Sequence, residues 1–114
     1  MPYLKINSNI SIAKQDEQKL AKALSNEVSS LLGKPESYVM VEVNTSLSMT
    51  FAGSEDPLAY LELKSIGLPG QKTAELSDSL CSFVAKLMKI DPLRIYIEFA
   101  DAERHLWGWN KSTF

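Results

Sequence analysis

The sequence predicts an α+β fold in which two β-α-β units form a four-stranded mixed sheet, with two helices on one face and short extra strands. Four segments alternate apolar and polar residues, which is the period of a strand with one packed face. Two longer segments carry apolar residues at helical spacing. The two halves of the chain repeat this pattern in register, so we expect one tandem-repeat domain over residues 1–114.

The first repeat consists of a strand, a helix and a second strand. The first strand begins at Pro2, because Leu4 and Ile6 form one side of an alternating run. The helix that follows has an apolar stripe at Leu20, Leu24, Val28 and Leu31. Gly33 is expected to end this helix, since glycine is favoured at the C-terminal cap and Pro35 prevents continuation. The next strand is predicted at Val39, Val41 and Val43, with a short strand at about 49–51.

The second repeat has the same order of elements. Its first strand is predicted from Ala59, Leu61 and Leu63. Its helix is expected to bury Leu76, Leu80, Phe83, Val84 and Leu87, and to stop at Asp91-Pro92. The closing strand alternates through Ile95, Ile97 and Phe99, and residues 107–109 predict a short terminal strand. The helical stripes of the two halves match at one constant offset, as do the strands that follow them.

One face of the predicted sheet is left without helices. Right-handed crossovers place both helices on the same side. The opposite side is expected to carry Tyr3, Tyr38, Met40, Tyr60 and Tyr96. This is more apolar and aromatic area than an exposed face usually carries, so we expect a partner subunit to pack there.

Composition excludes several classes of partner. The net charge is −2, and the twelve Lys and Arg residues are dispersed, so no basic stripe for nucleic acid is present. No apolar run reaches the roughly 20 residues of a membrane span, and no basic segment followed by an apolar leader precedes the first strand. The sequence therefore predicts a soluble cytoplasmic protein.

Cys81 is the single cysteine and is expected to be buried, and His105 lacks neighbours at metal-ligand spacing.

Pro2 is the candidate catalytic residue. Methionine is usually removed before a small second residue, which would leave Pro2 with a free secondary amine at the start of a strand. An unperturbed α-amino group titrates at about 7.7–8.0. Burial or a nearby cation lowers this pKa by disfavouring the charged form, which suits proton abstraction near neutral pH.

Several motifs, in one order along the whole chain, carry a family resemblance. They are Met1-Pro2, the Gly33-Lys34-Pro35 turn, the Ser65-Ile66-Gly67 turn, the strand at 94–97, and the ending Gly-Trp-Asn-Lys-Ser-Thr-Phe at 108–114. Together they resemble the macrophage migration inhibitory factor family of the tautomerase superfamily. The resemblance implies a β-α-β repeat that assembles as a homotrimer and uses an N-terminal proline as its base.

The resemblance also implies roles for individual residues. Pro2 would move a proton between carbon and oxygen, as in keto-enol tautomerisation of phenylpyruvate or isomerisation of dopachrome-like compounds, without a cofactor. Lys34 and the backbone of Ser65 and Ile66 would meet the polar end of the substrate. The walls for an aromatic ring would be Tyr38, Tyr96, Trp109 and Phe114, with Tyr3 and Trp107 as further members. Because the family's pocket lies between subunits, Tyr96 would come from a neighbouring chain.

Glu98 departs from the family pattern, and two other functions stay open. Glu98 stands where the family's cytokine member has asparagine, and a carboxylate there would disfavour an anionic substrate unless it points away or is protonated. The first alternative function is cytokine-like signalling by a protein whose pocket is vestigial. The second is a ferredoxin-like module that binds small molecules, which would explain the repeat but not the proline.

Overall fold

The computed structural model describes all residues from 1 to 114. The main sheet contains β1 (Tyr3–Ser8), β2 (Met40–Asn44), β3 (Ala59–Ile66) and β4 (Ile95–Ala102). The helices are α1 (Lys14–Leu32) and α2 (Thr73–Met88). A two-stranded C-terminal hairpin is formed by β5 (Gly108–Trp109) and β6 (Ser112–Thr113). Single 3₁₀ turns connect several of these elements, including one at Glu36–Tyr38.

The sheet has the strand order β2-β1-β3-β4. β1 and β2 are parallel, β3 and β4 are parallel, and the two central strands β1 and β3 are antiparallel. Each parallel pair is linked by one helix, so each half of the chain is a β-α-β unit. The predicted fold class, a mixed four-stranded sheet with two helices and short extra strands, is confirmed.

The core lies between the sheet and the two helices. Leu4 and Ile6 of β1 and Leu61 of β3 are completely buried, because alternate residues of the central strands point towards the helices. The helices meet them with one apolar stripe each, whose buried members are Leu20, Leu24 and Val28 in α1, and Leu76, Leu80, Val84 and Met88 in α2. Burying one such aliphatic side chain stabilises the fold by about 1.5–3 kcal/mol.

Gly33 ends α1 as predicted. Its φ of 62° lies in the left-handed region that glycine adopts without a steric penalty. The following amide of Lys34 donates to the carbonyl of Ser29 at 3.1 Å, and the Ser29 hydroxyl donates to the Lys34 carbonyl at 2.6 Å. These contacts fix the backbone of Lys34 directly after the helix.

Several details of the sequence prediction are wrong. Residues 49–51 form no strand; only an isolated bridge joins Phe51 to Ser54 within a turn. Leu87 is 45% exposed, because the helical phase directs Met88 into the core instead. Cys81 is half-buried rather than buried. α2 ends before Asp91, at Met88.

The sheet face opposite the helices is open and more polar than its tyrosines suggest. Tyr3 donates a hydrogen bond to Glu42, and Tyr60 donates to Glu98 at 2.6 Å. These two pairs occupy equivalent positions in the two repeats, since each joins the first strand of a repeat to its parallel partner. Tyr38 was predicted on this face, but it lies in the 3₁₀ turn before β2.

Candidate functional site

A cavity of about 380 Å³ lies where the start of β1 meets the C-terminal hairpin. Eight of its twelve lining residues are hydrophobic, which suits an apolar or aromatic ligand. The lining residues are Met1, Pro2, Tyr3, Ser37, Tyr38, Val39, Met40, Lys64, Trp107, Gly108, Trp109 and Phe114. Five of the residues singled out from the sequence are among them, together with Pro2.

Pro2 is fully buried at one end of this cavity. Its carbonyl accepts a hydrogen bond from the Met40 amide at 2.9 Å, which ties the first residues of the chain to the edge strand β2. The terminal amine of Met1 donates to the Tyr38 carbonyl. The pKa of this amine is lowered, first by burial away from water and second by the positive charge of Lys34. The Met1 amine is therefore more readily deprotonated than an ordinary chain terminus.

Lys34 is brought to the turn that follows β3. Its Nζ donates to the carbonyl of Ile66 at 2.8 Å, and this contact is partly buried. Ser65 is completely buried, and its hydroxyl donates to the same carbonyl at 3.2 Å. An ammonium group has three donors, so Lys34 keeps two for other acceptors.

Three aromatic rings form the outer wall of the cavity. Tyr38 packs edge-on against Trp109 and against Phe114, with ring centroids 5.9 Å apart in each case. Trp109 and Phe114 are stacked at 5.5 Å with an interplanar angle of 14°. The hairpin that carries them turns at Asn110 and Lys111, both of which have positive φ. Trp109 is 56% exposed, so much of this aromatic surface is free to meet another molecule.

Lys64 is a cavity residue that the sequence analysis missed. It lies directly opposite Tyr3 in the antiparallel pairing of β1 and β3, and this register brings it to the cavity. The sequence indicated the alternation of both strands but not their register. Tyr3 also lines the cavity, and its hydrogen bond to Glu42, followed by burial, raises the pKa of its hydroxyl to about 12. Tyr3 therefore stays protonated.

Tyr96 and Glu98 lie away from this cavity within one chain. Both are on β4, the edge strand opposite β2. Tyr96 packs against Phe51, with ring centroids 4.7 Å apart, and lines a second cavity of about 270 Å³. Glu98 accepts its hydrogen bond from Tyr60, whose pKa this contact raises to about 12. A single chain thus gathers only part of the predicted set.

The structure contains no group of three or more His, Cys, Asp or Glu side chains placed to hold a metal ion. His105 is exposed and lies 3.4 Å from a carboxylate oxygen of Glu103. Neither helix is long and apolar enough to cross a membrane.

The tandem β-α-β architecture defines a protein of the tautomerase-superfamily fold. The whole chain, residues 1–114, matches the sequence profile described as Macrophage migration inhibitory factor (MIF). The chain belongs to the macrophage migration inhibitory factor family.

Three individual proteins agree with this assignment. A macrophage migration inhibitory factor homolog of Brugia malayi is 45% identical, with 100% of this chain and 99% of the homolog aligned. The crystal structure of a macrophage migration inhibitory factor homologue from Prochlorococcus marinus superposes with a TM-score of 0.90 at 41% identity, covering 98% of both chains. The structure of the protein from Trichinella spiralis gives a TM-score of 0.90 at 32% identity, covering 98% of this chain and 99% of that one.

Proposed function

We propose that this protein is a keto-enol tautomerase that acts on a small aromatic α-keto acid or its enol, with the Pro2 amine as general base. Family membership supports isomerase chemistry in general. The observation that carries the finer proposal is the position of Pro2, buried at the end of a largely apolar cavity beside a chain terminus whose pKa is lowered by burial and by Lys34.

Removal of Met1 is the first requirement of the proposal. While Met1 is attached, the Pro2 nitrogen is an amide and has no basicity. Once it is free, the secondary amine lies in the same buried surroundings, so the same two causes lower its pKa. A neutral amine near pH 7 is the form that accepts a proton.

The reaction needs one proton moved between carbon and oxygen. In the keto-to-enol direction, the neutral Pro2 amine takes a proton from the carbon next to the carbonyl. The C–H bonding pair becomes the new carbon–carbon double bond, the π pair of the carbonyl moves onto oxygen, and the Pro2 ammonium gives its proton to that oxygen, which forms the enol hydroxyl and returns the amine to its neutral form. In the reverse direction Pro2 takes the proton from the enol hydroxyl and delivers it to carbon, so Pro2 acts as base and then as acid in each direction.

The polar end of the substrate is assigned to Lys34 and to the turn at Ser65 and Ile66. The two free donors of the Lys34 ammonium suit a carboxylate, and charge-assisted hydrogen bonds of this kind are the stronger ones. The stacked and edge-on rings of Tyr38, Trp109 and Phe114 suit the flat face of an aromatic substrate.

Assembly as a homotrimer completes the proposed site, and family membership supports this assembly. The Pro2 cavity is lined from β1, β3 and the edge strand β2 at one end of the sheet, whereas Tyr96 lies on β4, the other edge strand. A head-to-tail contact brings two different surfaces of neighbouring copies together, and three such contacts close a ring. Tyr96 and Glu98 of one subunit then face the Pro2 cavity of the next. In this arrangement Glu98 sets the tolerance for substrate charge.

A direct test combines an intact-mass measurement with an assay of tautomerase activity. Intact mass determines whether Met1 is removed, and ketonisation of phenylpyruvate enol by the processed protein is followed by absorbance. Turnover that increases with the fraction of processed protein is the expected result. Processed protein without any turnover of aromatic α-keto acids would contradict the proposal.

A further inference from the structure

Arg94 binds the backbone of the loop that precedes β3. Its Nε donates to the carbonyl of Pro57 at 3.1 Å, and its Nη1 donates to that of Phe51 at 3.2 Å. Its Nη2 donates to the carbonyls of Ser54 and Asp56, each at 3.1 Å. One guanidinium therefore gathers four carbonyls, spread over residues 51–57, at the start of β4.

The same guanidinium lies against an aromatic ring that contacts Tyr96. The central carbon of the Arg94 guanidinium is 5.2 Å from the centroid of the Phe51 ring, a cation–π distance. The Phe51 ring packs on the Tyr96 ring at 4.7 Å, tilted by 54°. Tyr96 is 64% exposed, and within one chain the ring that packs on it is Phe51.

Charge balance does not explain these contacts. No carboxylate lies within 4.0 Å of the Arg94 guanidinium, since the ion pairs of the chain are Lys14–Glu17 and His105–Glu103. The planar guanidinium holds its five donors in a fixed fork, which matches several carbonyls at once, whereas an ammonium group is a compact point charge. The planar shape of the guanidinium, rather than its charge alone, therefore explains how Arg94 binds several carbonyls of this loop.

We propose that Arg94 is a positioning residue, which holds Phe51 and through it the ring of Tyr96, and thereby sets the preference of the site for aromatic over aliphatic substrates. This inference rests on the proposed function, in which Tyr96 faces the substrate of a neighbouring subunit. Arg94 itself does not touch the substrate. Its influence is confined to substrates that present a ring to Tyr96.

The kinetic test compares Arg94→Lys with Lys86→Ala, a control at an exposed lysine of α2. Deuterium exchange at the carbon next to the carbonyl is followed by proton NMR for phenylpyruvate and for pyruvate, which has no ring. Aromatic packing energies predict that Arg94→Lys raises KM for phenylpyruvate roughly two- to tenfold while its kcat changes little. Pyruvate exchange and the control stay at the wild-type level. Equal losses for both substrates, or unchanged KM for phenylpyruvate, would overturn the assignment.

Two activity-independent readouts keep the inference separate from the proposed function. In Arg94→Lys, amide hydrogen exchange over residues 51–57 should become faster, and the fluorine NMR signal of 3-fluorotyrosine at position 96 should move. Phe51→Leu keeps the arginine and its carbonyl bonds, so it should shift the fluorine signal with little change in loop exchange. Inactive wild-type protein would refute the proposed function, and an unmoved fluorine signal in both variants would refute the role of Arg94.

Discussion

At the residue scale, side-chain identity predicted half of the residues that line the cavity, and strand register brings Lys64 to it. Pro2 and the aromatic residues Tyr38, Trp109 and Phe114 were singled out from the sequence and do line one cavity. Lys64 was missed because its place there depends on pairing with Tyr3, and a register cannot be deduced from alternation alone. The hydrogen bond from Tyr60 to Glu98 could not be predicted for the same reason.

Lys34→Ala tests the electrostatic part of the proposed site. The charge of Lys34 lowers the pKa of the Met1 terminus, so removing it should raise the pKa of a free Pro2 amine at the same end of the chain, because protonation is then opposed less. The acid limb of the kcat/KM profile should therefore move to higher pH. Loss of a charge-assisted hydrogen bond, worth about 1.5–3 kcal/mol, should raise KM for carboxylate substrates roughly 10- to 100-fold. Lys19→Ala, at an exposed position on α1, is the matched control. An unmoved acid limb would show that Lys34 does not act on the base.

Glu98→Asn tests the departure from the family pattern. If Glu98 faces a neighbour's cavity, removing its charge should tighten the binding of carboxylate inhibitors, as measured by the inhibition constant. Tyr60→Phe should weaken the same binding, because it frees the carboxylate from its 2.6 Å hydrogen bond. Inhibition constants equal to wild type in both variants would mean that the Tyr60–Glu98 pair lies outside the site.

At the element scale, helical stripes and caps were more predictable than irregular segments. Leu20, Leu24 and Val28 repeat at helical spacing and are buried as expected. The run at 49–51 was predicted as a strand from local residues, but Ser46 and Ala52 adopt positive φ and turn the chain. Such turns are set by tertiary contacts, here including the bonds of Arg94, and these have no local signature.

Gly33→Ala tests the cap that precedes Lys34. A Cβ at Gly33 would meet no atom within 4 Å, so the cost is conformational, because φ is +62°. Forcing alanine into the left-handed region costs about 1–2 kcal/mol, which corresponds to a fall in Tm of about 4–8 °C. Gly70→Ala is the control, because it also meets nothing within 4 Å and lacks the positive φ. Equal Tm values in calorimetry would show that the cap is not under this constraint.

At the scale of the whole molecule, the sequence repeat predicted the architecture. Tyr96 and Glu98 lie away from the Pro2 cavity within one chain, and this predicts that neighbouring subunits assemble to complete the site. Both helices cover one sheet face, and the other face is open, with Met40 and Tyr96 largely exposed. The Pro2 cavity is lined from β1, β2 and β3, whereas Tyr96 is on the edge strand β4. The helix-free sheet face could be anticipated from residue patterns, whereas the orientation of one copy against another could not.

Sedimentation of the wild-type protein should give a homotrimer, and a stable monomer at micromolar concentration would contradict the assembly.

Mixed assemblies test whether neighbouring subunits share the site. Tyr96→Ala subunits should be weakly active alone, and subunits with a blocked Pro2 should be inactive. Co-refolding the two should give more activity than their sum, because some cavities then combine an intact Pro2 with an intact Tyr96. A control mixture in which the blocked subunit also carries Tyr96→Ala should give no gain.

The most direct test of the central claim is to insert one alanine between Met1 and Pro2. The insertion converts the Pro2 nitrogen into an amide, which has no basicity, while the core stripes and the sheet are left intact. General acid–base groups contribute on the order of 100- to 10,000-fold, so turnover of phenylpyruvate enol should fall at least about 100-fold with little change in Tm. Intact mass must show that the inserted alanine is retained. If this protein, folded and still blocked at Pro2, turned over the enol at the wild-type rate, Pro2 would not be the base.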